Sequence, residues 1–309
     1  MAFLYWLESL RTPFLDAFFA AVTQLGDETL FIAAGLLVFW CVNKKYGYYL
    51  LTVGFAGTLL NQFLKLTFRI PRPWVKDPNF TIVESAREAA SGYSFPSGHT
   101  ATAVGVFGGI ARFRKEKPLR VICVVLIALV SLSRMYLGVH TPLDVGVSLA
   151  IGIVLVLLLY PVVNWAMQSP QKMRWFFSAM LVLSVAYLLF VSLFPFPENI
   201  DAHNWESGIK NAYKILGCML ALWLTYEVDT RFIRFETHGV WWAQLLKLAL
   251  GIAPILLIKS GLKAPLNALF QGHYAADAVR YFLLTAFAGC VWPLTFRFFA
   301  RLGTKKENA

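Results

Sequence analysis

The sequence predicts an all-α fold, a polytopic bundle of about eight to nine transmembrane helices. Three observations carry that expectation. Of the 309 residues 58% are hydrophobic and 15% charged, whereas soluble domains carry about a quarter charged residues. The stretches 145–163 and 175–194 hold no charged residue, which suits a hydrocarbon core roughly 30 Å thick. The basic residues behind the net charge of +11 gather in short connectors between apolar runs, as cytoplasmic loops require. That placement argues for a membrane surface and against nucleic acid as the partner of the positive charge.

In chain order, 12–25 is apolar but short, an interfacial helix or an extra half-span. Spans are expected at 28–42, 46–68, 99–113, 118–139, 142–167, 175–194, 208–226, 239–258 and 275–302. The first opens on Asp27-Glu28, acids at a helix start. Lys44 and Lys45 separate it from the second. The connector 112–120 carries Arg112, Arg114, Lys115, Lys117 and Arg120 against Glu116 alone. Lys172 and Arg174, Arg231 and Arg234, and Lys305 and Lys306 fall on the same side when spans alternate, which makes that side the cytoplasm. The segment 195–206, on the opposite side, has three acids and no Lys or Arg. Lys259 and Lys263 dissent by falling outside. The ten Trp mostly lie near span ends, as in an aromatic belt. Cys41, Cys123, Cys218 and Cys290 each sit in an apolar stretch and read as small buried hydrophobes, without metal-ligand spacing or a disulfide framework. The first residues lack the basic start and cleavage site of a signal peptide, so insertion is expected to rely on retained helices.

Chemistry concentrates in two connections on the non-cytoplasmic side. One runs from Lys65 through Arg72-Pro73 to Pro96-Ser97-Gly98-His99; the other is Ser133-Arg134 through His140-Thr141-Pro142 to Asp144. Together they supply cations, two imidazoles and a carboxylate. Ser97 is placed as an N-cap before an apolar run, so free N–H groups and the positive helix end face outward. Thr141-Pro142 repeats the device, and Asp144 falls where a capping carboxylate reaches back over the helix start. A carboxylate beside His140 can hold the imidazole in one tautomer and stabilise its charged form. Two helix N-termini with Lys65, Arg72 and Arg134 suit the oxygens of a phosphoryl group in transfer.

These segments resemble the type 2 phosphatidic acid phosphatase (PAP2) family, with its Lys-x6-Arg-Pro, Pro-Ser-Gly-His and Ser-Arg-x5-His-x3-Asp motifs, and the chain matches each defining position. The resemblance covers about residues 12–165. It implies a catalytic membrane core over 1–167, with 168–309 as accessory transmembrane helices. It further implies that His140 attacks phosphorus to form a phosphohistidine, that Asp144 orients His140, and that His99 protonates the leaving oxygen. Lys65, Arg72, Ser97, Gly98 and Arg134 would bind the phosphate. No cofactor and no metal are implied. The expected substrate is a lipid phosphate or diphosphate of the phosphatidate, polyprenyl diphosphate or sphingoid-base phosphate class, met among membrane lipids. The expected location is the plasma membrane, with the site on the non-cytoplasmic face. A lipid phosphotransferase using the same nucleophile is the alternative, and a transporter or flippase a weaker one.

Three features lie outside the motifs. Arg69 reads as an interfacial side chain with a buried stem and a wet head. Lys247, near the middle of a span, needs a partner or a water-lined cavity. His273, Asp277 and Arg280 repeat the His-x3-Asp spacing without its companions, and read as a capped helix start or a polar lip for a substrate headgroup.

Overall fold

In the computed structural model, which describes residues 1–87 and 90–303, every regular element is helical. The expected helix starts form for the expected reasons. Ser97 caps helix Gly98–Ala103 by accepting the Thr100 N–H. A cap not expected from the sequence is Thr12, which starts Pro13–Thr23 in the same way with Pro at the first helical position. At helix Pro142–Ala166, Asp144 Oδ2 accepts the Thr141 N–H at 2.7 Å while Thr141 Oγ1 accepts the Asp144 N–H at 3.3 Å. That reciprocal pair is a capping box.

Five helices are long and apolar enough to cross a membrane: Lys117–Tyr136, Pro142–Ala166, Pro170–Leu193, Trp241–Gly261 and Ala275–Arg301. Pro13–Gly26 and Glu28–Val42, bent by 50° at their junction, add a sixth if the pair counts as one span. The short run at 12–25 is thus the first arm of that bent pair. Length and composition do not carry the count to the eight or nine expected from the sequence. Helix Lys44–Phe68 contains Asn61, Gln62 and Lys65, and Ala202–Val228 contains Glu206, Lys210, Lys214 and Glu227. The stretch 98–113 is interrupted by a π-helical turn at Val104–Gly108. Side chains such as Leu158, Val182 and Leu257 point outward with more than half of their surface exposed. Lipid tolerates this and water does not reward it.

The chain divides into two structural units. Unit 1 comprises Met1–Ile32, Tyr49–Val162 and Leu193–Gly208, and unit 2 comprises Ala33–Tyr48, Val163–Ser192 and Ile209–Ala309. In unit 1, Phe19, Tyr136, Leu137 and Val139 form one apolar cluster, and Leu4, Leu7, Phe80 and Ile82 a second. Arg11 ties the N-terminal helices to this unit: its guanidinium donates to Tyr136 O at 3.0 Å and to Thr81 O at 3.0 Å.

In unit 2, Trp40 is fully buried and its Nε1 donates to Ala288 O at 2.9 Å. Lys247 finds the partner that its mid-span position calls for: Nζ donates to Trp40 O at 2.9 Å and lies 4.3 Å over the Phe296 ring. His273 Nδ1 accepts the Ala275 N–H at 3.1 Å, while Asp277 pairs with Arg280. These three residues therefore cap and staple the start of helix Ala275–Ala286 and do not repeat the His140–Asp144 arrangement. Lys305 and Lys306 lie outside the described residues.

One turn in unit 1 aims the segment that matters most. Helix Lys117–Tyr136 ends with Gly138 at φ +79°, with Gly138 N–H bonded to Met135 O and Val139 N–H to Arg134 O, both at 3.1 Å. This Schellman turn delivers His140 two residues later. A Cβ at position 138 would stand 2.7 Å from an Arg11 guanidinium nitrogen and 3.0 Å from Thr81 O. Gly138→Ala should therefore cost the left-handed penalty of about 1–2 kcal/mol, plus the displacement of Arg11. A lower melting temperature of the purified protein in detergent checks this, and an unchanged one contradicts it.

Candidate active site

Four chain segments of unit 1 converge on His140, which is 1% exposed. Arg72 follows the end of helix Lys44–Phe68 by a short loop and turns its side chain inward, 6% exposed. Its guanidinium is held by three carbonyls: Gly92 O at 3.1 Å, Ser91 O at 2.8 Å and Val139 O at 2.9 Å. From that cradle Nη1 reaches His140 Nε2 at 3.0 Å. Burial pushes the Arg72 pKa down to about 10, with Asp144 working against the shift, so the group stays charged at neutral pH. Burial, then Arg72, Arg134, Lys65 and His99, hold the His140 imidazole well below its ordinary pKa. A neutral imidazole is the form that has a lone pair to give.

The other face of the ring meets Asp144, but not by a direct hydrogen bond. His140 Nδ1 and Asp144 Oδ2 are 3.6 Å apart. Between them sits Ser94, whose hydroxyl donates to Asp144 Oδ2 at 2.5 Å and lies 3.5 Å from Nδ1. Ser94 is completely buried, and its N–H is bonded to Ile70 O at 2.8 Å. This arrangement favours the tautomer with its proton on Nδ1, leaving the Nε2 lone pair toward Arg72.

The remaining motif residues surround this pair. Lys65, 6% exposed, donates through Nζ to Tyr93 O. Arg134, 1% exposed, donates to Thr23 Oγ1 at 2.6 Å, while its buried Nε meets no hydrogen-bond partner among the described residues. Ser97 N–H bonds to Asp144 O at 3.2 Å, which joins the two helix starts at their first turns. Gly98 leaves room beside Asn61, whose Oδ1 would lie 3.9 Å from a Cβ there. Gly26 packs against His99 so closely that a Cβ would come within 2.7 Å of the His99 carbonyl oxygen. Residues 88 and 89, within the first catalytic connection, lie outside the described residues.

Residues 45–168 match the PAP2 superfamily, and 213–306 match the transmembrane extension of PAP2 superfamily phosphatases. Phosphatidylglycerophosphatase B of Bacillus subtilis is 30% identical over 159 residues, 47% of this chain and 74% of that protein. The chain belongs to the PAP2 superfamily. A probable sphingosine-1-phosphate phosphatase of Dictyostelium discoideum is 31% identical over 195 residues, 59% of this chain and 44% of that protein, so less than half of that relative's length is spanned. A dihydrosphingosine 1-phosphate phosphatase of Schizosaccharomyces pombe is 24% identical over 295 residues, 90% of this chain and 69% of that protein. These relatives are named phosphatases, and a phosphate ester hydrolase is the enzyme class that PAP2 membership supports. No solved structure is a significant match.

Two neighbours of the candidate site are not evident from the motifs. Ser94 stands three residues before Ser97 and reads in sequence as an ordinary loop serine. The segment Leu193–Gly208, far from the motifs in sequence, belongs to unit 1. Gly208 packs on Leu66, where a Cβ would fall 2.6 Å from its side chain, and Gly92 faces Lys65 and Ser207, each 3.9 Å from a Cβ there.

Ser94→Ala would leave Asp144 Oδ2 short of a buried donor and His140 Nδ1 without its nearest hydroxyl. Turnover on a lipid phosphate should fall on the order of 10–100-fold, the usual scale for a group that orients a reactive one, with KM little changed. Ser94→Thr, which keeps the hydroxyl, should recover part of the rate. Equal activity of Ser94→Ala and wild type would remove Ser94 from the site.

Proposed function

We propose that the chain is a metal-independent lipid phosphate phosphatase working through a phosphohistidine at His140. The observation that carries this reading is the orientation of one imidazole. Nε2 lies 3.0 Å from the Arg72 guanidinium while Nδ1 faces Ser94 and Asp144. A phosphate held by Arg72 would therefore sit in front of the attacking atom. Lys65, Arg134 with its free Nε, and the N–H groups behind Ser97 and Gly98 supply the remaining positive field. In the first step Nε2 bonds to phosphorus, the ester P–O bond breaks, and His99 gives its proton to the leaving oxygen. In the second, water attacks phosphorus, His99 takes its proton, the N–P bond breaks, and inorganic phosphate leaves. Asp144 stabilises the imidazolium character that develops on His140.

The substrate class follows from the setting and from the named activities of the relatives: a sphingoid-base phosphate, a phosphatidyl-type monoester or a prenyl diphosphate. The catalytic core is taken as 1–167 and the accessory helices as 168–309. The three more polar helical stretches, 44–68, 98–113 and 202–228, are counted as spans whose polar residues face protein, which gives the eight to nine crossings of the charge-based topology. On that topology the site faces away from the cytoplasm, in the plasma membrane.

His140→Ala should abolish phosphate release from a panel of these lipids, with the protein still folded and inserted. Wild-type protein quenched in alkali after brief exposure to a 32P-labelled lipid phosphate should carry acid-labile label that the variant lacks. Release that persists in His140→Ala, or label elsewhere, would overturn the mechanism. For the topology, single cysteines at Ser91 and Asn199 should react with an impermeant maleimide on intact cells, and one at Lys117 only after permeabilisation. Labelling of Lys117 from outside inverts the orientation.

A further inference from the structure

Unit 2 contains a cavity of about 360 Å³ opening between the turn 232–238 and the segment 293–300. Its construction starts at Asp229. Helix Ala202–Val228 runs into a π-helical turn, Asp229–Ile233. There the buried Asp229 carboxylate accepts Lys44 Nζ at 2.6 Å and the Phe235 N–H at 3.0 Å. The Arg234 N–H closes the turn on Asp229 O at 2.7 Å, with Arg234 itself at φ +49°. A left-handed arginine costs about 1–2 kcal/mol, offset by seating Phe235 between Phe39 and Phe296, with ring centroids at 5.3 and 5.1 Å. The outcome is that Phe235 faces the core and Arg234 lines the cavity.

The cavity wall has two characters. Arg234 uses Nε on Thr230 O at 3.2 Å, and the Arg297 side chain makes no hydrogen bond or ion pair among the described residues. Neither has a carboxylate partner there. The one acid in the lining, Glu236, is engaged by His238 at 3.0 Å. Beside the cations, Phe232 is 76% exposed and Leu294 64%, and Trp241, a few residues on, is 75% exposed. Exposed aromatic and aliphatic side chains next to arginines match the boundary between headgroups and acyl chains.

We propose that this cavity binds the headgroup phosphate of an anionic phospholipid from the adjoining leaflet. Arg234 and Arg297 would clamp the phosphodiester, and Phe232 and Leu294 would lie along the glycerol and first acyl methylenes. A zwitterionic headgroup would bring a quaternary ammonium toward two guanidinium groups, and free phosphate would forgo the apolar wall. The lining shares no residue with the motif segments, and the proposal does not depend on the reading of the reaction.

The test uses the full chain, purified in detergent and exchanged against mixed micelles. Phosphatidylglycerol is the probe, because its phosphodiester lacks the terminal phosphate that the catalytic site would hydrolyse. Native mass spectrometry should find it retained at least fivefold more than phosphatidylcholine, with inorganic phosphate failing to displace it at equal concentration. Arg297→Gln, an exposed position, should lower retention at least fivefold, and Leu294→Asn should also lower it. Arg72→Gln, in the catalytic site, should leave it unchanged. Equal retention of the two lipids, displacement by inorganic phosphate, or full retention in both Arg297→Gln and Leu294→Asn would overturn the proposal.

Discussion

Lys65, Arg72 and Arg134 are each buried to 6% exposure or less, and the buried Asp144 carboxylate acts on the first two. Removing a cation from water costs several kcal/mol even after relaxation, and three in one place repel one another. The protein meets this with backbone oxygens: those of Ser91, Gly92 and Val139 hold Arg72, and that of Tyr93 holds Lys65. The chain around 91–94 and 137–140 has to run where those carbonyls are needed, so its path is set by the cations. What remains is a surplus of positive charge facing one imidazole, and in the proposed function a phosphate would relieve that surplus.

The same constraint explains why His140 is built into a turn. A residue on a helix face moves with the helix, whereas His140 lies between a Schellman turn at Gly138 and a capping box at Thr141 and Asp144. Both devices are made of local hydrogen bonds, so the backbone carrying the ring is placed locally, while Arg72 and Ser94 from distant segments set how the ring faces. Burial then keeps the ring neutral, and the ring nitrogens are divided between a cation on one side and a hydroxyl with a carboxylate on the other. Outward-facing apolar side chains on the long helices suit a hydrocarbon surrounding.

Unit 2 uses related physics for another end. Among its buried ions, Lys247 is satisfied by a carbonyl and an aromatic ring within the unit, Arg280 by Asp277 and Lys259 O, and Asp229 by Lys44 and a backbone N–H. Arg234 and Arg297 are left over at the cavity, and that remainder separates an anion site from a structural pair.

Most helical stretches, the caps at Ser97 and Thr141, and the identity of the motif residues around the imidazole are legible in the amino-acid order alone, whereas the number of spans is not. These depend on apolar runs, on Ser97, Thr141 and Asp144 at helix starts, and on charge lying next to them in the chain. Tertiary structure decided what depends on contacts between distant segments. Ser94 became the bridge between His140 and Asp144 because Ile70 O fixes its backbone. Leu193–Gly208 joined unit 1 because Gly208 fits against Leu66. Asp277 turned from His273 to Arg280, although His273-x3-Asp277 has the spacing of His140 and Asp144. Four residues of spacing set only which side chains can meet. Whether they do depends on the donors and acceptors that the rest of the chain brings to them, and no local pattern encodes those.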